Sequence, residues 1–387
     1  MKKIYRGNKR QEICFPLGGI GTGSIGLDGT GRLRDWEIFN RPDKGSVNGF
    51  SHFGVKAEKG GKTVDARVLN ADLMGSYMGR YVEKKEYVGY GYGPDRHLMS
   101  GVPHFRDSEF AGEFPLAQVR FLDETFPGKV TLDAFNPFIP SDPDGSSIPA
   151  AFFSVEIVND TGEELAYTLE MSVNNPSTRA HIHRIVKGKC FQGIELADDL
   201  TDDMDPRFGS IVFGIPAGDD MQVQRYWYRG SWFDNLSVFW QDLTAPGALR
   251  DRNYEEFKGA EDIATVAVRT VLAPGSVWRQ RFLIGWYYPN SVNYWKPADQ
   301  YDSAEDCGRV WKNWYASLFA DAPSVAEYAM TEWDRLYEET LCFHDALYSS
   351  TIPEEALEAV GSNIAVLKSP TVFRLTDGQF YGFEGCS

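Results

Sequence analysis

Glu384 stands between Phe383 and Gly385, shortly after Tyr381. A carboxyl group beside aromatic rings loses part of its hydration, and that loss raises its pKa. A carboxyl held in this way can serve as a nucleophile or as an acid/base. Cleaving a glycosidic bond generally takes a second carboxyl group, so Glu384 alone does not define a reaction.

Other patterns compete with plainer readings. Gly21-Thr22-Gly23-Ser24-Ile25-Gly26 has the glycine spacing of a dinucleotide loop. Such a loop needs a strand before it and a helix after it. Here Asp28-Gly29-Thr30-Gly31 follows, which is turn chemistry, so the segment reads as a β-hairpin whose glycines allow tight packing. Gly61-Lys62-Thr63 has Lys56 where a phosphate loop needs glycine, and reads as a surface turn. His181 and His183 share one face of an expected strand, but Arg179 and Arg184 flank them and no carboxylate or thiol co-ligand is evident nearby. They read as an exposed strand face, and no metal is expected.

In residues 34–42, Trp36 and Phe39 could stack on a sugar while Asp35, Glu37 and Asn40 bind hydroxyls. A strand with an ion-paired edge is the favoured reading. Asp142, Asp144, Asp160, Asp199, Asp202, Asp203 and Asp205 fall in loops without EF-hand spacing, and read as solvated acids.

The elements that must position these groups follow from composition and periodicity. The chain has 387 residues, enough for two or three domains, with 42% hydrophobic, 24% charged and 14% aromatic residues. That is a globular composition, rich enough in rings to fill a core and line a groove. The net charge of −16 argues against a nucleic-acid partner and an anionic membrane surface. The basic start, residues 1–10, has no apolar run after it, and no window is long and apolar enough for an integral membrane segment. Five scattered cysteines without a CxxC read as reduced, buried thiols, and the expected setting is cytoplasmic.

The first 290 or so residues read as β structure throughout. Alternation at 116–121, 152–158, 167–173, 210–213 and 280–287, with turn signals between, predicts a sandwich or barrel. Val155, Ile157, Leu169, Met171 and Val173 would face one core, with Ser154, Glu156, Thr168, Glu170 and Ser172 facing outward or toward the second sheet. From 304 to 319 the spacing of Val310, Trp311, Trp314 and Leu318 predicts a helix. A second helix is predicted over 324–347, with Ser324 and Glu327 as its capping box, and a third from Pro353. These helices are too few to close a helical domain, and the last stretch, 375–387, is aromatic and glycine-rich. The expectation is the front part of a longer protein.

Several motifs also carry a family likeness. Phe15-Pro16-Leu17-Gly18-Gly19-Ile20-Gly21-Thr22-Gly23, then Gly31-Arg32-Leu33-Arg34-Asp35-Trp36-Glu37-Ile38-Phe39-Asn40-Arg41-Pro42, resemble the opening of glycoside hydrolase family 116, which includes the non-lysosomal glucosylceramidase or bile-acid β-glucosidase. Ala134-Phe135-Asn136-Pro137-Phe138-Ile139-Pro140 with Ile148-Pro149-Ala150, and Phe282-Leu283-Ile284-Gly285-Trp286-Tyr287-Tyr288-Pro289-Asn290, resemble it too. The resemblance implies a mainly β chain followed by α: a two-sheet antiparallel β-sandwich over 1–300, a helical linker over 301–350, and over 351–387 the start of a truncated (α/α)6 barrel.

It also implies a retaining β-glycosidase acting on β-glucosides or related β-glycosides, with a Glu nucleophile, an Asp acid/base and no organic cofactor. Phe383-Glu384-Gly385 resembles the surroundings of the family nucleophile, with Tyr381 and Phe383 as substrate-binding rings. A Glu-Gly beyond residue 387 is the alternative nucleophile, leaving Glu384 to shape the pocket. The acid/base Asp has no counterpart in this chain, so the chain alone is expected to be inactive. The rival function is a non-catalytic carbohydrate-binding β-sandwich module. The oligomeric state stays open.

Overall fold

The computed structural model describes residues 3–74, 94–177, 179–199, 202–230, 232, 234–254, 261–293 and 310–382. The alternating segments become the strands Leu116–Leu122, Ala150–Val158, Leu165–Asn174, Ser210–Pro216 and Val277–Tyr287. Nine antiparallel strands form one sheet, in the order Ile4–Tyr5, Asp107–Glu113, Leu116–Leu122, Lys129–Phe135, Ala150–Val158, Val277–Tyr287, Ser210–Pro216, Phe191–Asp198, His181–Lys187. Six form another, in the order Met221–Gln224, Ile263–Leu272, Leu165–Asn174, His52–Lys59, Lys62–Ala71, His104–Phe105, antiparallel but for the last pair.

The two sheets share one hydrophobic core. Phe53 of the six-stranded sheet meets Phe153 and Phe282 of the nine-stranded sheet at ring-centroid distances of 5.0 and 5.6 Å. Val155, Ile157, Leu169, Met171 and Val173 all lie in this core, as the alternation predicts.

The other face of the six-stranded sheet departs from expectation. Thr168, Glu170 and Ser172 are buried, because helix α1 (Asn235–Thr244) and the chain around Trp227 cover them. Helix α1 also corrects the all-β reading of the first 290 residues. Its Leu236, Phe239, Trp240 and Leu243 recur at three- and four-residue steps, and all four belong to the cluster under the cover. Much of the polar face survives burial by internal pairing, though Thr168 Oγ1 has no hydrogen-bond partner among the described residues. The Trp227 indole N–H donates to Thr265 Oγ1 at 2.8 Å, Ser172 donates to Glu170 Oε2 at 2.8 Å, and His52 Nε2 lies 3.0 Å from Glu170 Oε1. Burial opposes the charged His52 imidazole, yet Glu170 outweighs it and holds that pKa above its ordinary value.

Among the described residues four more α-helices follow: α2 (Tyr315–Leu318), α3 (Ala322–Thr331), α4 (Trp333–Tyr348) and α5 (Glu354–Ile364). The helix expected over 304–319 is not formed where the chain is described. Val310–Lys312 is a strand paired with Asn290–Val292, and only α2 is helical. Two large β-formers, Val310 and Trp311, find a ladder partner there. Residues 301–309 lie outside the described residues.

The helix expected over 324–347 is divided at Glu332, and its cap is Asp321 rather than Ser324. Asp321 Oδ1 accepts the Ser324 N–H at 2.7 Å. Glu327 instead accepts the backbone N–H groups of Lys189, Cys190 and Phe191 at 3.0, 2.9 and 3.2 Å. It ties α3 onto the outer face of the nine-stranded sheet, where Val325, Ala326, Ala329 and Met330 join Phe152, Val212 and Leu283 in a second cluster. Cys14 and Cys342 are exposed and Cys190 half-buried, so these three free thiols are not the buried ones expected; Cys307 and Cys386 lie outside the described residues.

Candidate functional site

The hairpin nearest the sequence candidates pairs Val372–Arg374 with Phe380–Gly382. Val372, Phe373 and Leu375 are buried beneath it, while Phe380 and Tyr381 are exposed. The Tyr381 ring lies nearly parallel to Trp311, with centroids 6.3 Å apart and planes 16° apart. Its hydroxyl donates to Asp377 Oδ2 at 3.2 Å.

The same corner holds a second indole. Trp314 Nε1 donates to Asp144 Oδ1 at 2.8 Å, and Arg374 Nη1 donates to that oxygen at 2.7 Å. The Arg374 guanidinium stands 4.5 Å from the Trp314 ring centroid. Asp144, read from sequence as a solvated acid, is therefore an anchor: it neutralises Arg374 and fixes an indole in one move.

Two further tethers fix the corner to the sheets. The glycine loop runs between strands Cys14–Leu17 and Ile25–Asp28, so it is the hairpin expected and not a dinucleotide loop. Gly21 has φ +69°, and a Cβ on it would lie 2.5 Å from the Arg374 nitrogen, so only glycine fits. Lys368 is fully buried, and its ammonium donates to the carbonyls of Pro137 at 2.8 Å and Ser146 at 2.9 Å. Burial pushes its pKa down to about 7.

Of the sequence candidates, Tyr381 lies in this corner. Phe383 and Glu384 follow the hairpin in the chain and lie outside the described residues. Residues 34–42 do not form a ring platform. Trp36 and Asn40 are buried, and Phe39 packs on Tyr288 at 4.6 Å. The strand is only Leu33–Arg34, because Asp35 and Asn40 take positive φ of 48° and 57° and turn the chain. Asn40 donates to the Tyr288 and Asn290 carbonyls at 2.7 and 2.8 Å and accepts from Asn313 at 2.7 Å. The expected ion pairing is present: Lys44 Nζ lies 2.9 Å from Glu37 Oε2 and 3.6 Å from Asp35 Oδ2.

His183 is buried and the His181 side chain is covered, so the pair is not the exposed face expected. His181 Nδ1 lies 3.0 Å from Asp262 Oδ2, and His183 stacks on Tyr226 at 4.2 Å. Burial pushes the His183 pKa down to about 4. Among the described residues, no group of three or more His, Cys, Asp or Glu is placed to hold a metal.

Sequence reasoning missed Trp311, Trp314, Arg374, Asp144 and Lys368. Both indoles fit a helix stripe in the sequence, and Asp144 reads there as a solvated loop acid. Chemically, the described corner offers ring surface and one acceptor. Its ring faces suit the apolar face of a sugar, and Asp377 offers an acceptor at the rim.

Residues 14–336 match the family model described as beta-glucosidase 2, glycosyl-hydrolase family 116 N-term. The chain belongs to this family. The family 116 match ends before the Val372–Gly382 hairpin, which lies past the matched stretch. No curated protein matches the sequence.

Three solved structures show a distant likeness. A protein assigned as a kojibiose phosphorylase, from the human microbiome, is 9% identical over 95% of this chain and 41% of its own, with a TM-score of 0.39. A polysaccharide lyase is 11% identical over 71% of this chain and 33% of its own, at 0.29. A family GH92 α-mannosidase from Bacteroides thetaiotaomicron is 10% identical over 96% of this chain and 42% of its own, at 0.23. The family 116 chain thus spans well under half the length of each, and likeness of this degree decides neither fold nor function.

Proposed function

We propose that this chain is the front part of a retaining β-glycosidase acting on β-glucosides or glucosylceramide-like β-glycosides. The observation that carries the reading is the family 116 match across residues 14–336. The near-parallel rings of half-buried Trp311 and exposed Tyr381 support it.

In this proposal residues 1–300 form a β-sandwich that braces the reactive half. Residues 301–350 are a helical linker, and 351–387 begin an (α/α)6 barrel. Glu384 is the nucleophile, and Tyr381 and Phe383 flank the sugar. The acid/base Asp is supplied from outside these residues. A retaining mechanism holds its two carboxyl groups ~5–5.5 Å apart, so one alone binds without turning over. The setting proposed is cytoplasmic, in keeping with the free thiols of Cys14, Cys190 and Cys342. No helix among the described residues is long and apolar enough to cross a membrane.

An aryl β-glucoside assay tests the proposal. The 387-residue protein is expected to bind the glucoside saturably without releasing the aryl alcohol. Turnover by this chain that is lost in Glu384→Gln would refute the need for a second carboxyl group from elsewhere. Binding without hydrolysis by every longer chain would make it a carbohydrate-binding module instead.

A further inference from the structure

A cleft of about 470 Å³ opens between the α4–α5 connection and the edge of the nine-stranded sheet, and it shares no lining residue with the Trp311–Tyr381 corner. Its volume falls within the usual range for small-molecule sites. The wall is apolar, with Phe15, Phe110, Phe114 and Leu357 all buried. The rim is acidic: Glu113, Glu354 and Glu358 face a single lysine, Lys3.

That rim already holds one ammonium. Lys3 Nζ is ion-paired with Glu358 and stands 5.4 Å from the Tyr5 ring centroid. The Tyr5 hydroxyl donates to the other Glu358 oxygen at 2.7 Å. A carboxylate and a tyrosine face together make up an ammonium site. A second carboxylate and tyrosine stand beside it, with a histidine rather than an ammonium as the carboxylate's partner. Glu113 is buried, accepts the Lys3 backbone N–H at 3.1 Å and faces His344 Nε2 at 3.1 Å. The Tyr348 ring lies 4.8 Å from the His344 ring. Glu354, exposed in the first turn of α5, has no ion pair among the described residues.

We propose that this cleft binds an amphipathic organic amine, with its apolar body against Phe15, Phe114 and Leu357 and its ammonium among Glu113, Glu354 and the Tyr348 ring. An anionic amphiphile would meet surplus negative charge, and a neutral one would leave that charge unused.

Calorimetric titration of the whole 387-residue protein tests this, with phenylpropylammonium as probe and phenylpropanol, phenylpropionate and hexyl β-glucoside as comparison arms. The amine is expected to bind saturably and about tenfold more tightly than the alcohol. Phenylpropionate should not bind, and added salt should weaken the amine alone. Glu354→Gln, an exposed change that leaves the fold intact, should weaken the amine about threefold. Ser362→Trp, at an exposed position on the cleft lining, should block it. Absence of saturable amine binding, alcohol or glucoside binding as tight as the amine, or amine affinity unchanged in either variant would overturn the proposal.

Discussion

The Trp311–Tyr381 corner and the Glu113–Glu358 cleft use the same two residue types to different ends. Each is built where segments far apart in sequence meet. The corner joins the 372–382 hairpin to Gly21 and Asp144; the cleft joins Lys3 and Tyr5 to Glu358. In the corner the carboxylate of Asp144 is spent inside the protein, on an indole N–H and a guanidinium. What remains outward is ring surface, suited to a neutral ligand. In the cleft the rings are buried as walls and the carboxylates outnumber the lysine at the rim. On these two proposals, an aromatic–acid cluster takes a sugar or a cation according to how much of its charge the fold already neutralises.

The largest effect that would separate the two regions comes from Gly21→Ala. Its positive φ and the close Arg374 backbone should cost about 2–4 kcal/mol. Denaturant unfolding should show the loss, and saccharide binding should fall while amine binding persists.

Next comes the charge on Lys368. Its folded pKa of about 7 lies below the ordinary value of about 10.4, so between those values the unfolded chain binds the extra proton. Stability relative to Lys368→Met should therefore rise with pH across that window, by at most about 1.4 kcal/mol per unit. Unfolding midpoints measured through this range, for protein and variant, read the slope; a falling difference would contradict the placement.

A smaller loss is expected from Asp144→Ala. It strips Arg374 and Trp314 of their acceptor, but Asp144 is half exposed, so about 1–2 kcal/mol and a weaker saccharide affinity are predicted from thermal unfolding and titration. The least effect on the fold is expected from Glu354→Gln, within about 0.5 kcal/mol, with saccharide binding unchanged.

The strands were legible because alternation reports the inner face directly, as Val155 and Leu169 show. The burial of Thr168, Glu170 and Ser172 was not. Polar residues on a strand normally mark solvent, and here their partners Trp227 and His52 come from remote segments. Helix α1 carried a readable signal in Leu236, Phe239, Trp240 and Leu243, overshadowed by the surrounding β pattern. The spacing of Val310, Trp311 and Trp314 fits a helix, but pairing with Asn290–Val292 decided for a strand. In the site, Tyr381 stood out by its neighbours. Asp144 did not, because its partners Trp314 and Arg374 lie 170 and 230 residues away.

The central claim, that the hairpin corner handles β-glycosides, is tested most directly by saturation-transfer NMR with methyl β-glucoside. Transfer from aromatic protons to the sugar ring is predicted, and it should collapse in Trp311→Ala while the unfolding temperature holds. Absence of transfer, or equal transfer in the variant, would contradict the account.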